Sequence, residues 1–127
     1  MNTKKVTKYD LEERLIEFSI SILELSDKLP RSYVGIHLTK QIVRSGTSPA
    51  FQYAEATAAE SRKDFIHKLK IGLKELRETF VCLKIIKRKP LIEFIELEST
   101  LNECNELIAI FNTSIKTAEK NLYANKS

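Results

Sequence analysis

The stretch RSGTSPAFQYAEA, residues 44–56, decides how the chain is read. Apolar residues recur every three or four positions on both sides of its centre: Val34, Leu38 and Ile42 before it, Tyr53 and Ala56 after it. Between them stand Gly46, Thr47, Ser48 and Pro49, a run that ordinarily ends a helix or opens a loop. Because the apolar phase carries through, the pattern predicts one helix, bent at Pro49, whose ring removes an N–H and crowds the carbonyl of Ser45. Gly46 then admits a neighbouring helix closely. A phosphate loop would require a preceding strand and a lysine after the glycines, and neither is present.

The flanking sequence supplies three further helices. Asp10 and Glu13 form a capping-box-like start for a first helix whose stripe is Leu11, Leu15, Phe18, Ile22, Leu25 and Leu29. Ile16, Ile20 and Leu23 lie off that stripe and widen the apolar face, so this helix is expected to touch more than one neighbour. Pro30 stops it, and Ser32 is placed to cap the second helix. Ser61 with Asp64 marks the third, which carries Phe65, Leu69, Leu73, Leu76, Phe80 and Leu83, with Ile66 and Ile86 beside them, to about Lys87. Lys87, Arg88 and Lys89 suit its negative dipole end, and Pro90 stops it. The fourth repeats Phe94, Leu97, Leu101, Cys104, Ile108, Phe111, Ile115, Ala118 and Leu122 and is expected to be the longest. Short connections make sequential helices antiparallel, so the fold class is all-α: one up-down-up-down four-helix-bundle domain over residues 1–127, frayed at about 1–9 and 123–127.

Composition agrees. The 127 residues contain three glycines and three prolines, too few turn-formers for an all-β fold. No apolar run approaches the length of a membrane span and no secretory leader is evident, which points to a cytoplasmic protein. Cys82 and Cys104 fit neither a disulfide framework nor a metal spacing and are expected to be buried thiols.

Catalytic chemistry finds little to stand on. Di-iron bundles use inward glutamates and two Glu-x-x-His motifs, whereas this chain has two histidines, His37 and His67, and a lone Asp64-x-x-His67. No Ser, Cys or Thr is grouped with a base as nucleophilic catalysis requires. A hairpin of the second and third helices centred near Ser61 would level Glu55 with His67 and Arg44 with Glu78, and interhelical polar staples explain these pairs better than catalysis. No enzymatic activity and no bound metal are therefore expected.

Charge is the stronger lead. Between Ser61 and Lys89 ten Lys and Arg face three Asp and Glu, so this segment is net +7 and the rest of a +4 chain is net negative. Lys63, Lys70, Lys74, Arg77, Lys84 and Arg88 recur at spacings of three, four and seven, which sets them in a row along one outward helix face. Such a row can contact successive phosphates in a salt-sensitive, sequence-neutral way. A merely solvated face is the competing explanation, and oligomerisation, by repeating the row, favours phosphate contact. Phe65 and Phe80 fall on the core stripe, so base stacking is not indicated.

RSGTSPAFQYAEA followed by SRKDFIHKLKIGLKELRET resembles the signature of a bacterial four-helix-bundle family whose members include proteins encoded in intervening sequences of 23S ribosomal RNA genes. The likeness runs from about Leu11 to Leu122. Arg44, Ser45, Thr47, Ser48, Tyr53 and Glu55 match the first motif, while Gln52 stands where Asn is usual and Pro49 where Val or Ile is common. Ser61, Arg62, Lys63, Asp64, Phe65, Lys68, Lys74, Glu75, Arg77, Glu78 and Thr79 match the second. The resemblance implies a homopentamer of bundles, without known enzymatic activity or cofactor. It also implies kinship with an accessory protein of diversity-generating retroelements that binds RNA or DNA through basic surfaces and associates with a reverse transcriptase. The functional expectation is an oligomeric, nonenzymatic nucleic-acid-binding or RNA-associated accessory protein; the alternative is a structural or protein-interaction module with no nucleic-acid role, using off-stripe residues such as Ile16, Ile20 and Ile71.

Overall fold

The computed structural model describes residues 8–89, 91–93 and 95–124. Its helices are α1 (Lys8–Lys28), α2 (Tyr33–Thr57), α3 (Arg62–Arg88) and α4 (Leu97–Ala124), with no strand among the described residues. Each packs on its neighbours in the chain, and α1 closes the bundle against α4, while the diagonal pairs stay apart. This is the antiparallel four-helix arrangement expected of long amphipathic helices on short connections.

The six stripe residues of α1 are all buried, none more than 6% exposed. Its start differs from the sequence reading: α1 begins at Lys8, so Asp10 lies in the first turn, where a carboxylate favours the positive dipole end. α1 touches two neighbours, α2 and α4, as expected, while Ile16, Ile20 and Leu23 stay 40%, 41% and 43% exposed. α1 meets α4 partly through Arg14, which donates two hydrogen bonds to Glu103, the one from Nε to Oε2 spanning 3.0 Å.

Side-chain caps fix the starts of the next two helices. Ser32 accepts from the Gly35 N–H at 3.1 Å and Ser61 from the Asp64 N–H at 3.0 Å. α2 continues without interruption through a buried Pro49. Gly46 faces α1, and a Cβ there would lie 2.7 Å from Cγ2 and 2.8 Å from Cγ1 of the fully buried Ile22. Gly72 performs the same service on α3, where a Cβ would stand 2.6 Å from the ring of Phe111 on α4.

The buried arc of α3 is turned relative to the expected stripe. Gly72, Thr79 and Cys82 are buried, whereas Phe65, Leu73 and Phe80 are only partly so. Ile66, Leu69, Leu76, Leu83 and Ile86 are buried as expected, so small residues share the inward arc with these large ones while Phe65, Leu73 and Phe80 fill its margins. On α4, Leu107 is fully buried beside the expected Leu101, Cys104, Phe111, Ile115 and Ala118, while Ile108 is half-buried. Phe94 and Pro90 lie outside the described residues, as do residues 1–7 and 125–127. Within the ends expected to fray, residues 8–9 and 123–124 are helical.

Gly46→Ala tests the close approach. A gain of up to about 1 kcal/mol in helix propensity is set against overpacking of about 1–3 kcal/mol on the branched, immobile Ile22. Thermal unfolding is expected to show a net loss, and a raised Tm would contradict the packing described.

Candidate nucleic-acid interface

Lys63, Lys70, Lys74, Arg77, Lys84 and Arg88 are all exposed on the side of α3 turned away from the core. Lys70 pairs with Glu119 of α4 at 3.2 Å, and the Lys84 ammonium sits 4.4 Å above the centre of the Phe80 ring. The other four stand in no ion pair among the described residues.

Five of the six fall into two environments, and Lys63 lines neither. Lys70, Lys74 and Arg77 border a shallow groove of about 670 Å³ whose floor includes Leu38 of α2 and Leu73, Val81 and Ile85 of α3. Lys84 and Arg88, with Lys87, border a smaller pocket of about 290 Å³ against α4, which adds Asn102 and Asn105. Neither carboxamide makes a hydrogen bond within the described residues, and nothing in the apolar pattern marks them; their i, i+3 spacing on an exposed face is the only sequence signal. Phe80 lines this pocket too, which corrects the expectation that aromatics stay apart from the lysines: with the buried arc turned, its ring lies at the core margin instead of inside it. An exposed cation–π contact such as Lys84–Phe80 contributes about 0.5–1 kcal/mol.

The motif residues clamp α2 to α3. Arg44 donates to Glu75 at 2.9 Å and to Glu78 at 2.6 Å, bridging one turn of α3. Ser45 Oγ and Thr79 Oγ1, both buried, lie 3.0 Å apart, one hydroxyl donating to the other. Glu55 accepts from Lys68 at 2.9 Å; His67, expected as its partner, is exposed. The hairpin register is about one residue longer than assumed, so the neighbouring lysine takes that place. Thr47 donates to the Val43 carbonyl at 2.7 Å, within its own helix. Gln52 Oε1 is buried without a hydrogen-bond partner among the described residues.

Arg44 holds Glu78 below the usual carboxylate range, chiefly by its hydrogen bond, opposed by desolvation. Burial pushes the Cys82 thiol up to about 11 and the Cys104 thiol to about 12, the latter helped by Glu103. The described residues contain no group of three or more His, Cys, Asp or Glu placed to hold a metal ion. None of their helices is long and apolar enough to cross a membrane.

The model of the 23S rRNA-intervening sequence protein family matches residues 7–113. The chain belongs to that family. A crystal structure of a protein of unknown function from the S23 ribosomal protein family of Bacteroides thetaiotaomicron is 36% identical, with a TM-score of 0.77 over 84% of this chain and 98% of that one. A search of curated proteins finds no match. The Arg44–Glu78 clamp and the basic row both lie inside the span that the family model covers.

Two measurements check this chemistry. Raised thiol pKa values leave almost no thiolate at pH 8, so iodoacetamide should label Cys82 and Cys104 in the native protein far more slowly than in the unfolded one. Arg44→Ala should lower stability by about 0.5–1 kcal/mol at pH 7, a modest figure because the pair is solvent-screened. Glu78 has a depressed folded-state pKa, so its contribution is full above the ordinary Glu value and is lost as pH falls through the folded one. The difference between wild type and Arg44→Ala in urea titrations should therefore shrink in acid; a difference that grew there would refute the assignment.

Proposed function

We propose that this chain is a nonenzymatic, oligomeric nucleic-acid-binding protein that contacts phosphates through the outward face of α3. The observation that carries the reading is the row Lys63, Lys70, Lys74, Arg77, Lys84 and Arg88, exposed along one helix and mostly without carboxylate partners among the described residues. A face built only for solubility would intersperse both signs; this one concentrates cations in a chain whose remainder is acidic. Membership of a family named for intervening sequences of 23S ribosomal RNA supports an RNA association.

A second use is favoured by the outward side of α1. There Ile16, Ile20 and Leu23 form an exposed apolar strip beside Glu13, Glu17 and Glu24. The groove between α2 and α3 is the complement: apolar floor, rim of Lys70, Lys74 and Arg77. The strip with its glutamates, Glu13 to Glu24, runs about 16 Å and fits within the groove, which runs about 22 Å from Lys70 to Ile85. Two different patches of one chain meeting head to tail close into a ring when the rotation permits, and five copies is the number the family resemblance implies. On this reading the groove cations serve assembly, and the Lys84–Arg88 end serves nucleic acid.

Binding of structured RNA and duplex DNA across a salt series, with light scattering on the same samples, separates the uses. Lys84→Gln with Arg88→Gln should weaken binding and reduce the salt slope by about 1–2 while leaving the mass unchanged. Lys74→Glu with Arg77→Glu should reduce the mass. No binding at low salt would remove the nucleic-acid role, and a monomeric wild type would remove the ring.

A further inference from the structure

The pocket between the end of α3 and the start of α4 holds a combination found nowhere else along the basic row. Lys84, Lys87 and Arg88 supply cations, Phe80 a ring, and Asn102 and Asn105 two carboxamides, all lining one cavity of about 290 Å³. Glu98 is also present, but Lys87 engages it in an ion pair, so the pocket keeps a net positive charge. That space is many times the ~30 Å³ that one water occupies in the liquid, so the pocket admits more than a single ordered water.

We infer that this pocket is a subsite for one unpaired nucleotide of a single strand, its base stacked on Phe80 and its phosphates held by Lys84 and Arg88. The inference rests on the nucleic-acid reading above and adds to it a base-dependent contact. Phe80 packs against the core on one side, which fixes the plane of its ring, while Lys84 stands over the ring where a base would lie. Stacking of a base on an aromatic ring outweighs an exposed cation–π contact, so the flexible lysine yields the ring and follows the phosphate. Asn102 and Asn105, one turn apart on α4, each offer a carbonyl acceptor and an amide donor. Neither is tied to another group of the described residues, so both are available to a base edge. A paired base presents no free face, so duplex contacts use the cations alone.

The test is fluorescence anisotropy at one salt concentration with three ligands of equal length: a single strand, the same strand with abasic sugars, and a duplex. Ribose and deoxyribose versions of the single strand show which backbone is preferred. The wild type should bind the base-bearing strand more tightly than the abasic one. Phe80→Leu should lose about tenfold on the base-bearing strand and little on the other two. Lys84→Gln with Arg88→Gln should weaken all three. Equal wild-type affinity for base-bearing and abasic strands, or a uniform loss in Phe80→Leu, overturns the subsite while leaving phosphate binding intact. Absence of binding to every ligand overturns both. Should Phe80→Leu prove unstable, photocrosslinking of 5-iodouracil strands to the wild type decides: cross-links at Phe80 support the subsite, and cross-links confined to other segments refute it.

Discussion

The bundle depends on how closely α2 can approach its two neighbours. Gly46 lets Ile22 of α1 sit where a Cβ would be, and Ser45 meets Thr79 of α3 through their hydroxyls. Each contact exchanges side-chain bulk for backbone proximity. The flanking apolar stripes can then interdigitate at the density of a protein interior. Arg44 closes the same contact on the solvent side, reaching Glu75 and Glu78 across the groove. The run that looked like a break in the helix is where α1 and α3 both come close to α2, which explains why small and hydroxyl residues stand in its middle.

The turned arc of α3 follows from this. Once Gly72 and Thr79 face inward, residues a third of a turn away move to the margin, so Phe80 and Leu73 are left partly exposed. The outward cations are carried round with them. Lys70 lies within reach of Glu119, and Lys84 lies over Phe80 beside α4. What looks in sequence like one uniform row therefore divides: Lys74 and Arg77 border the groove with α2, Lys84 and Arg88 the pocket against α4, and Lys70 reaches from the groove's edge to α4.

Legibility in the sequence tracks the size of the residues at each contact. The α1 stripe is read without error because it is made of large aliphatic and aromatic residues at regular spacing. The α3 stripe is read in part: Ile66, Leu69, Leu76, Leu83 and Ile86 are buried as expected, but hydrophobic periodicity gives no weight to Gly72, Thr79 and Cys82, which take inward positions while Phe65, Leu73 and Phe80 move to the margin. Leu107 is overlooked because Ile108 beside it fits the three-four alternation equally well. Hairpin register places Arg44 by Glu78 correctly, yet puts His67 where Lys68 belongs, since a level estimated from a loop centre is uncertain by about one residue. The basic row is plain in the sequence; its division is not, because that depends on which neighbouring helix each side chain leans toward.

The order in which the helices meet has a kinetic consequence. α1 packs on α2, α2 on α3 and α3 on α4, so most of the core is made between segments adjacent in the chain. Such low contact order favours rapid folding. The α1–α4 seam, to which Arg14 and Glu103 belong, joins residues 89 positions apart and carries the largest loop-closure entropy. Chain proximity helps that seam least in closing, and the outward strip of α1 lies on one of the two helices it joins.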